Sequence, residues 1–384
     1  MEDRFLDWLP SYFVRLIGLS INTCVPLLAL FFIETGAGTS AVFFLPVVFF
    51  GIVPILDFLI GERRLEIDNL ENDPFFDVLL YLQAPLHLSI FIGAIHMAVT
   101  QDLPLWARIV AVAGFGLING QCALIGHEFA HKTGRAKRIA AQMVLAVVGM
   151  GHFLLEHVRG HHIQVATPED CASARLDESI YAFALRDMPG EVSGGLRREA
   201  SRLALTGTRA LSVHNRILQS YAVTALIAFA LVIVLGPLVL PWIVLHHLFA
   251  WFTLTLVTYI EHYGLLRAMG ANGRREPVQR VHTWNTDAMI SNMLLLNVQR
   301  HSDHHARPMR PYQSLLDEAG GPRLPTGYFG MMVLAFVPPL WRRVMNPRTI
   351  AAVSGNCERL HILGPPSRNV ARDIRLFTQD AATR

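Results

Sequence analysis

The sequence predicts an all-α integral membrane protein, with six transmembrane helices and a histidine-rich cap on the cytoplasmic side. Three observations lead to this fold class. The 384-residue chain is 52% hydrophobic and only 16% charged, whereas a soluble domain is roughly a quarter charged. Six separate apolar runs are each long enough to cross the bilayer, which takes about 20 residues. Nine of the 17 histidines fall into four clusters that lie at the ends of these runs or outside them.

The apolar runs form three hairpins within a single predicted membrane-embedded domain over residues 1–384. The predicted spans are residues 12–33, 39–60, 77–99, 105–125, 219–235 and 242–260, and a polar C-terminal tail covers 347–384. The turns inside the hairpins carry no Lys or Arg, although Arg108 lies close to the second turn. The segments outside the hairpins carry nearly all of the basic residues, including Arg63 and Arg64 after the second span. By the positive-inside rule, both termini and the histidine clusters are expected in the cytoplasm.

Two further apolar stretches are not predicted to cross the membrane. Residues 139–155 are long enough for one crossing, but that crossing would separate the histidines before and after them onto opposite faces. If these histidines share one site, the stretch must lie within the protein or along the membrane interface. Residues 331–340 end in Pro338-Pro339 and are too short to span, so they are expected to be re-entrant or interfacial.

The densest histidine cluster is VQRHSDHH, at residues 298–305. A helix there places three imidazoles on one face, at positions i, i+3 and i+4. Protonation of one ring disfavours protonation of its neighbours, and a metal ion resolves this conflict because each neutral ring offers a nitrogen lone pair. The other clusters repeat the pattern. The candidate ligands are therefore His127, His131, His157, His161, His162, His262, His301, His304 and His305.

Nine nitrogen donors exceed what one ion can use, so the sequence implies two metal ions. Each cluster also has an acidic neighbour, and these are Glu128, Glu156, Glu261 and Asp303. The carboxylates could bridge the metals, but we favour a role in accepting the second N–H of ligand imidazoles. His282 is the reserve ligand. His87 and His96 lie within a predicted span, where they either mark a function or bond to a neighbouring helix.

Other classes of metal protein explain the pattern less well. The string HEFAH also matches the motif of zinc proteases, but that interpretation does not explain the other three histidine clusters. A metal transporter would hold its ligands near the middle of the bilayer, whereas these clusters lie at helix ends or in cytoplasmic segments. The four cysteines are far apart and form no C-x-x-C pair, which argues against a fused rubredoxin or ferredoxin module.

The strings HEFAHK, EHVRGHH, YIEHYGLLR and VQRHSDHH resemble those of the integral-membrane alkane 1-monooxygenases, the non-haem di-iron alkane hydroxylases. Membrane desaturases and xylene-type hydroxylases share the histidine spacing, and the QRHSDHH string followed by YQSL narrows the resemblance. It implies a cytoplasmic di-iron cap in a bacterial inner-membrane protein, with all nine candidate histidines as iron ligands. It also implies hydroxylation of the terminal methyl of medium- to long-chain n-alkanes with O2. The two electrons would come from a separate rubredoxin, which a reductase and NAD(P)H keep reduced.

The resemblance and the charge pattern suggest two further roles, and no catalytic residue is expected beyond the metal ligands. Phe49 falls where the family has a chain-length gate in its substrate channel, and ordinary core packing is the alternative. Rubredoxin is acidic, so its expected dock is the basic surface around Lys132, Arg135, Lys137 and Arg138. The remaining alternatives are an aryl-methyl (xylene) hydroxylase, a fatty-acyl desaturase and a non-enzymatic metal transporter.

Overall fold

The computed structural model describes residues 11–62, 73–317, 320–362 and 364–382, and in that part of the chain the regular structure is helical, without β-strands. The N-terminus and the basic pair Arg63-Arg64, both of which bear on the predicted orientation, lie outside the described residues. The sequence prediction of an all-α membrane protein is confirmed. Which side of the membrane holds the cap stays a prediction.

Six helices are long and apolar enough to cross a bilayer, and together they match the six predicted spans. The first two hairpins consist of α1 (Ser11–Glu34), α2 (Thr39–Ile60), α3 (Pro74–Thr100), α4 (Leu105–Asn119) and α5 (Gln121–Ala130). Helices α4 and α5 follow each other directly and form one span, Leu105–Ala130. This span is longer than predicted, so that His127 lies inside its last turn instead of just beyond it.

The rest of the chain alternates between the third hairpin and shorter helices. These elements are α6 (Arg135–Ala146), α7 (residues 153–164), α8 (Ile180–Ala204), α9 (Arg216–Leu235), α10 (Val239–His262), α11 (Met289–Leu294), α12 (His301–Ala306), α13 (Tyr328–Ala335), α14 (Pro338–Ala352) and α15 (Arg368–Ala382). Helices α9 and α10 are the last two candidate spans. The polar tail, for which the sequence indicated no structure, contains the end of α14 and all of α15.

The helix ends follow from local sequence. Asp73 caps α3 by accepting a hydrogen bond from the Phe75 amide at 2.9 Å, and Pro74 occupies the first turn, where no amide is needed. Asn215 caps α9 by accepting from the amides of Ile217 and Leu218 at 3.0 Å. Such caps satisfy the free N–H groups at the first turn of a helix. The third and fifth spans therefore begin at sharply defined positions.

The apolar stretch over residues 139–155 does not cross the membrane. Helix α6 ends at Ala146, and a series of turns leads from there to α7 at Phe153. The histidines on either side of the stretch consequently lie on the same side of the fold, as the sequence argument required. The stretch 331–340 is likewise divided between α13 and α14 and is not among the candidate spans.

Close packing of the spans positions the cap. Gly116 faces α10 so closely that a Cβ there would lie 2.5 Å from the carbonyl oxygen of His246, so α4 and α10 can approach only with glycine at this position. Buried polar groups on α1 connect the first span to the segment before α12. Arg15 donates to Asn297 at 2.9 Å and Asn22 donates to the carbonyl of Leu294 at 2.5 Å.

Candidate metal centre

The nine candidate histidines come together in two adjacent groups at one end of the helix bundle. Within each group, one nitrogen from every ring lies within 4.8 Å of those of the others, so that each group can hold a metal ion. The group of five contains His127, His131, His157, His162 and His304. The group of four contains His161, His262, His301 and His305. The structure thus brings together every ligand that the sequence predicted, from α5, α7, α10 and α12.

The division between the groups depends on a local departure from α-helical geometry in α7. Residues His157–His161 form a π-helical turn, in which each turn holds about one residue more than in an α-helix. As a result His157 pairs with His162, with 2.9 Å between their Nε2 atoms, and both belong to the group of five. His161 joins the group of four. His157 and His161, which are four residues apart in the sequence, therefore belong to different groups.

The short helix α12 supplies ligands to both groups. His301 and His305 are four residues apart, lie with their Nε2 atoms 2.9 Å apart, and belong to the group of four. His304 turns toward the group of five, where its Nε2 atom lies 2.9 Å from that of His127 and 3.0 Å from that of His162. The three rings therefore project from one short helix, but His304 belongs to a different group from His301 and His305.

The chemistry of the rings fits a pair of nitrogen-bound metal ions. Burial, and then the positive charge of neighbouring imidazoles, lowers the pKa of His131 and His162 to about 2. The same causes keep the pKa values of His157, His301, His304 and His305 well below the ordinary value. Neutral rings direct lone pairs at one another across about 3 Å, and these repel unless a shared cation accepts them. The buried Nε2 atoms of His131 and His161 have no hydrogen-bond partner among the described residues.

One carboxylate that bonds to a candidate metal-binding histidine was not identified from the sequence. Asp170 is 2% exposed, and its Oδ2 atom lies 3.0 Å from Nδ1 of His161. It also accepts from the Ser173 hydroxyl at 2.6 Å and from the Ala172 amide at 3.2 Å. Burial raises the pKa of Asp170, but His161 and the Ser173 hydroxyl together lower it below its usual value. This arrangement fixes which nitrogen of His161 is free to bind a metal.

Asp170 lies in a loop nine residues after His161, so no helical spacing connects the two residues in the sequence. Among the four predicted acidic partners, Glu261 is the one that lies against a candidate ligand. Its Oε1 atom is 3.3 Å from Nδ1 of His301, and it accepts a hydrogen bond from the Tyr328 hydroxyl at 3.1 Å.

The other three acidic residues lie against cations. Glu128 pairs with Lys132 at 3.0 Å, Glu156 with Arg198 at 2.6 Å, and Asp303 with Arg307 and Arg310 at 2.6 and 2.9 Å. Their predicted role as imidazole partners has no contact to support it in the described structure. They instead connect the ligand-bearing helices to the surrounding cap.

The reserve histidines lie outside both groups. His282 has a partner at each ring nitrogen, since Nδ1 accepts from the Gln279 amide at 2.9 Å and Nε2 lies 3.1 Å from Glu276. Within the third span, His87 bonds to Asn119 at 2.8 Å and His96 to Glu34 at 3.1 Å. Both therefore bond to neighbouring helices, which was the simpler of the two interpretations.

Phe49 is fully buried in a π-helical turn of α2, and its ring centroid lies 5.7 Å from that of Phe329. The residue before Phe329 is Tyr328, whose hydroxyl donates to Glu261, and Glu261 lies 3.3 Å from Nδ1 of His301. Phe49 therefore packs against the sequence neighbour of a residue that bonds to Glu261.

The sequence is similar to known membrane enzymes over most of its length. The sequence profile of the fatty acid desaturase family matches residues 104–320. Alkane 1-monooxygenase 1 of Alcanivorax borkumensis and an alkane 1-monooxygenase of Pseudomonas putida are each 40% identical over 321 residues, which cover 82% of this chain and 80% of theirs. A more distant relative is the xylene/toluene monooxygenase hydroxylase component XylM of Pseudomonas putida. It is 26% identical over 274 residues, 70% of this chain and 72% of its own.

The matched region contains the ligand-bearing helices, and the two histidine groups lie at the ends of membrane-spanning helices. The family resemblance inferred from the four histidine strings is therefore confirmed by relatives that cover most of both chains. We conclude that this chain belongs to the alkane 1-monooxygenase family of integral membrane enzymes.

Proposed function

We propose that the protein hydroxylates the terminal methyl group of medium- to long-chain n-alkanes to give 1-alkanols. Each turnover would consume O2, two electrons and two protons, and would release water. The observation that carries this proposal is the gathering of nine histidines, eight of them buried, into two groups, in a chain 40% identical to alkane 1-monooxygenases. Two iron ions, one in each group, would supply the activation of O2 and the oxidation of the C–H bond.

The protein's own contribution is to hold neutral imidazoles in place and to exclude water. Eight of the nine candidate ligands are buried, and His162 is partly buried. Asp170 orients His161, and Glu261, itself held by Tyr328, lies beside Nδ1 of His301. Ligands that are fixed before the metal binds lose little freedom when it does, which favours a single geometry of the site.

The membrane supplies the substrate in this proposal. Alkanes partition into lipid, and each histidine group includes a residue in the last turn of a helix that crosses it, His127 in one group and His262 in the other. We place the path of the alkane past Phe49, which lies on the second span and packs against Phe329, the residue next to Tyr328. An apolar channel that aligns the chain end-on would direct oxidation to the terminal methyl group. Phe49 is its proposed chain-length gate.

The electron donor in this proposal is a separate rubredoxin that docks on the cytoplasmic face of an inner-membrane protein. The charge pattern of the hairpin turns supports this orientation. The expected dock needs refinement, since Lys132 pairs with Glu128 and Lys137 pairs with Asp77 at 2.6 Å. Of the four basic residues, Arg135 is exposed and Arg138 is partly exposed, and neither forms an ion pair with a described acidic residue. Charge reversal at Arg135 should raise the KM for rubredoxin.

A product test distinguishes the proposed reaction from its rivals. Membranes containing the protein, rubredoxin and its reductase are supplied in parallel with n-alkanes of several lengths, xylene and a fatty acyl thioester. Conversion of an n-alkane to its 1-alkanol as the main product supports the proposal. A benzylic alcohol as the main product would support an activity like that named for XylM, and an unsaturated acyl chain would support a desaturase. No O2 consumption with any substrate would support a metal-binding or transport role.

Ligand variants test the metal site within the same assay. His304→Ala removes a donor from the group of five and His161→Ala one from the group of four, and both should abolish hydroxylation and lower the iron content. His282→Ala is the matched control, because His282 lies outside both groups with both nitrogens occupied. Full activity in either ligand variant would refute the proposed site.

A further inference from the structure

A cavity of about 320 Å³ lies beside the metal centre, between the end of α5, the start of α6, α7 and the first residue of α9. Three arginines from different elements line it, Arg138, Arg159 and Arg216. Apolar side chains also line it, and they include Leu154, Leu155 and Val158. A pocket that combines guanidinium groups with an apolar wall suits a ligand with an anionic head and an apolar body.

The three arginines lack the acidic partners that several nearby cations have. Neighbouring basic residues are neutralised within the chain, such as Arg198 by Glu156 and Arg202 by Glu199. Among residues 11–62, 73–317, 320–362 and 364–382, no carboxylate forms an ion pair with Arg138, Arg159 or Arg216. The positive charges of Arg202, Arg138 and Arg159 act on the guanidinium of Arg216 and are opposed in part by the carboxylate of Glu199, which also accepts a hydrogen bond from the Arg216 amide at 2.7 Å. Like charges held together in this way favour the binding of an anion between them.

Because Arg216 begins a candidate span, the pocket is expected near the level of the bilayer headgroups. Arg216 is the first residue of α9, a candidate span of which only 17% is buried inside the protein, so its surface faces lipid. The loop that leads to Arg216 exposes large apolar side chains, with Leu205 at 88%, Leu211 at 86% and Val213 at 82%. Basic residues flanking a lipid-facing helix and an exposed apolar loop are typical of the interface between headgroups and acyl chains.

We propose that this arginine pocket binds the headgroup phosphate of an anionic phospholipid, whose acyl chains then lie along the lipid-facing surface of α9. Arginine pairs with phosphate through two parallel N–H···O bonds, which fixes the headgroup as well as attracting its charge. Basic pockets between membrane helices are known to hold anionic headgroups in this way. The position of the pocket at the start of a lipid-exposed span favours a lipid over a soluble partner.

The bound lipid would contact the metal-binding segment directly. Arg159 lies in the π-helical turn between His157 and His161, and Leu154 and Leu155 precede the same turn. An occupied pocket therefore connects the bilayer to a segment that contributes to both histidine groups.

Lipid retention tests the proposal with the full-length, iron-loaded protein. Wild-type protein is reconstituted in nanodiscs of phosphatidylcholine mixed with phosphatidylglycerol, released into mild detergent, and analysed by native mass spectrometry for bound lipid. The wild type should retain phosphatidylglycerol in preference to phosphatidylcholine. Each of Arg138→Gln and Arg216→Gln should lower that preference on the order of fivefold, as expected for one basic residue near a membrane surface.

Arg135→Gln is the matched control, because Arg135 lies on the same helix as Arg138 but does not line the cavity. It should retain phosphatidylglycerol like the wild type. Iron content measured on each sample shows that the variants are folded, and Arg216 is remote in sequence from every candidate ligand. Equal retention by the wild type and by both pocket variants would overturn the proposal. So would loss of bound phosphatidylglycerol on addition of inorganic phosphate, which would indicate a free-anion site, or of rubredoxin, which would indicate a protein dock.

Discussion

Replacing Asp170 by alanine should weaken metal binding by the group of four histidines, although Asp170 is not a candidate ligand. The substitution removes the acceptor that lies 3.0 Å from Nδ1 of His161. Loss of such a partner typically lowers metal affinity 10- to 100-fold, which corresponds to roughly 1.4–2.7 kcal/mol. Because Asp170 is only 2% exposed, bulk water cannot readily replace the carboxylate. We therefore expect the loss of metal affinity to fall in the upper half of this range.

Two further variants separate the charge of Asp170 from its hydrogen bond. In Asp170→Asn the amide oxygen can still accept a hydrogen bond from His161, so the orientation of the His161 ring is kept while the negative charge is lost. The affinity for iron should therefore fall less than in the alanine variant. Ser173→Ala removes the hydroxyl that donates to Asp170 at 2.6 Å but leaves the acceptor of His161 intact. This variant is the control and should bind iron nearly as tightly as the wild type.

The assay is the iron content of the purified full-length protein after dialysis against a graded series of chelator concentrations. Circular dichroism at each step reports whether the helices remain folded. The alanine variant should release one of its two ions at a chelator concentration 10- to 100-fold lower than the wild type does. If it retains both ions as tightly as the wild type throughout the series, the reasoning about Asp170 is refuted.

Three other predictions follow from the site. His304→Ala should lose iron and alkane hydroxylation whereas His282→Ala keeps both, which metal analysis and product formation measure on the same samples. The metal-free protein should lose stability as the pH falls below about 6.5. The pKa of His131 and of His162 is about 2 in the folded protein, against the ordinary value of 6.5 in the unfolded chain. Below pH 6.5 the unfolded chain therefore binds protons that the folded protein does not, and this proton binding favours unfolding. Thermal melting at several pH values with chelator present would show this, and a flat profile would contradict it. Phe49→Ala should extend product formation to longer alkanes, and an unchanged product profile would remove Phe49 as a gate.

The spans and the ligand set could be predicted from sequence because both depend on strong local signals. A membrane-spanning helix needs about 20 apolar residues, and that requirement is visible without any knowledge of tertiary contacts. The histidines were identified because imidazoles at helical spacing have few other uses. The interpretation of residues 139–155 as non-spanning was also correct, since it used a geometric condition that joins distant segments. Clusters that share a site must lie on the same side of the membrane.

The division of the ligands between two sites could not be predicted, because it depends on backbone geometry that composition does not reveal. An α-helical interpretation of EHVRGHH pairs His157 with His161, whereas the π-helical turn pairs His157 with His162. A π-turn inside a helix is rare and often marks a functional site. Asp170 was missed for a related reason. It reaches His161 through a loop, and its approach depends on turns that have no periodic signal in the sequence.

An ion pair between Glu156 and Arg198 joins the ligand-bearing helix α7 to α8. Gly160, in the π-helical turn of α7, leaves room for a side chain of the neighbouring helix α8. A Cβ at Gly160 would lie 2.5 Å from both the Glu156 carboxylate and the guanidinium carbon of Arg198. On the facing helix α8, a Cβ at Gly194 would also meet the Glu156 carboxylate. The ion pair between Glu156 and Arg198 thus occupies space that two glycines leave open between α7 and α8. A buried carboxylate with a bonded cation is stable where an unpaired one would not be, so this pair holds the turn that carries His157, His161 and His162 against α8.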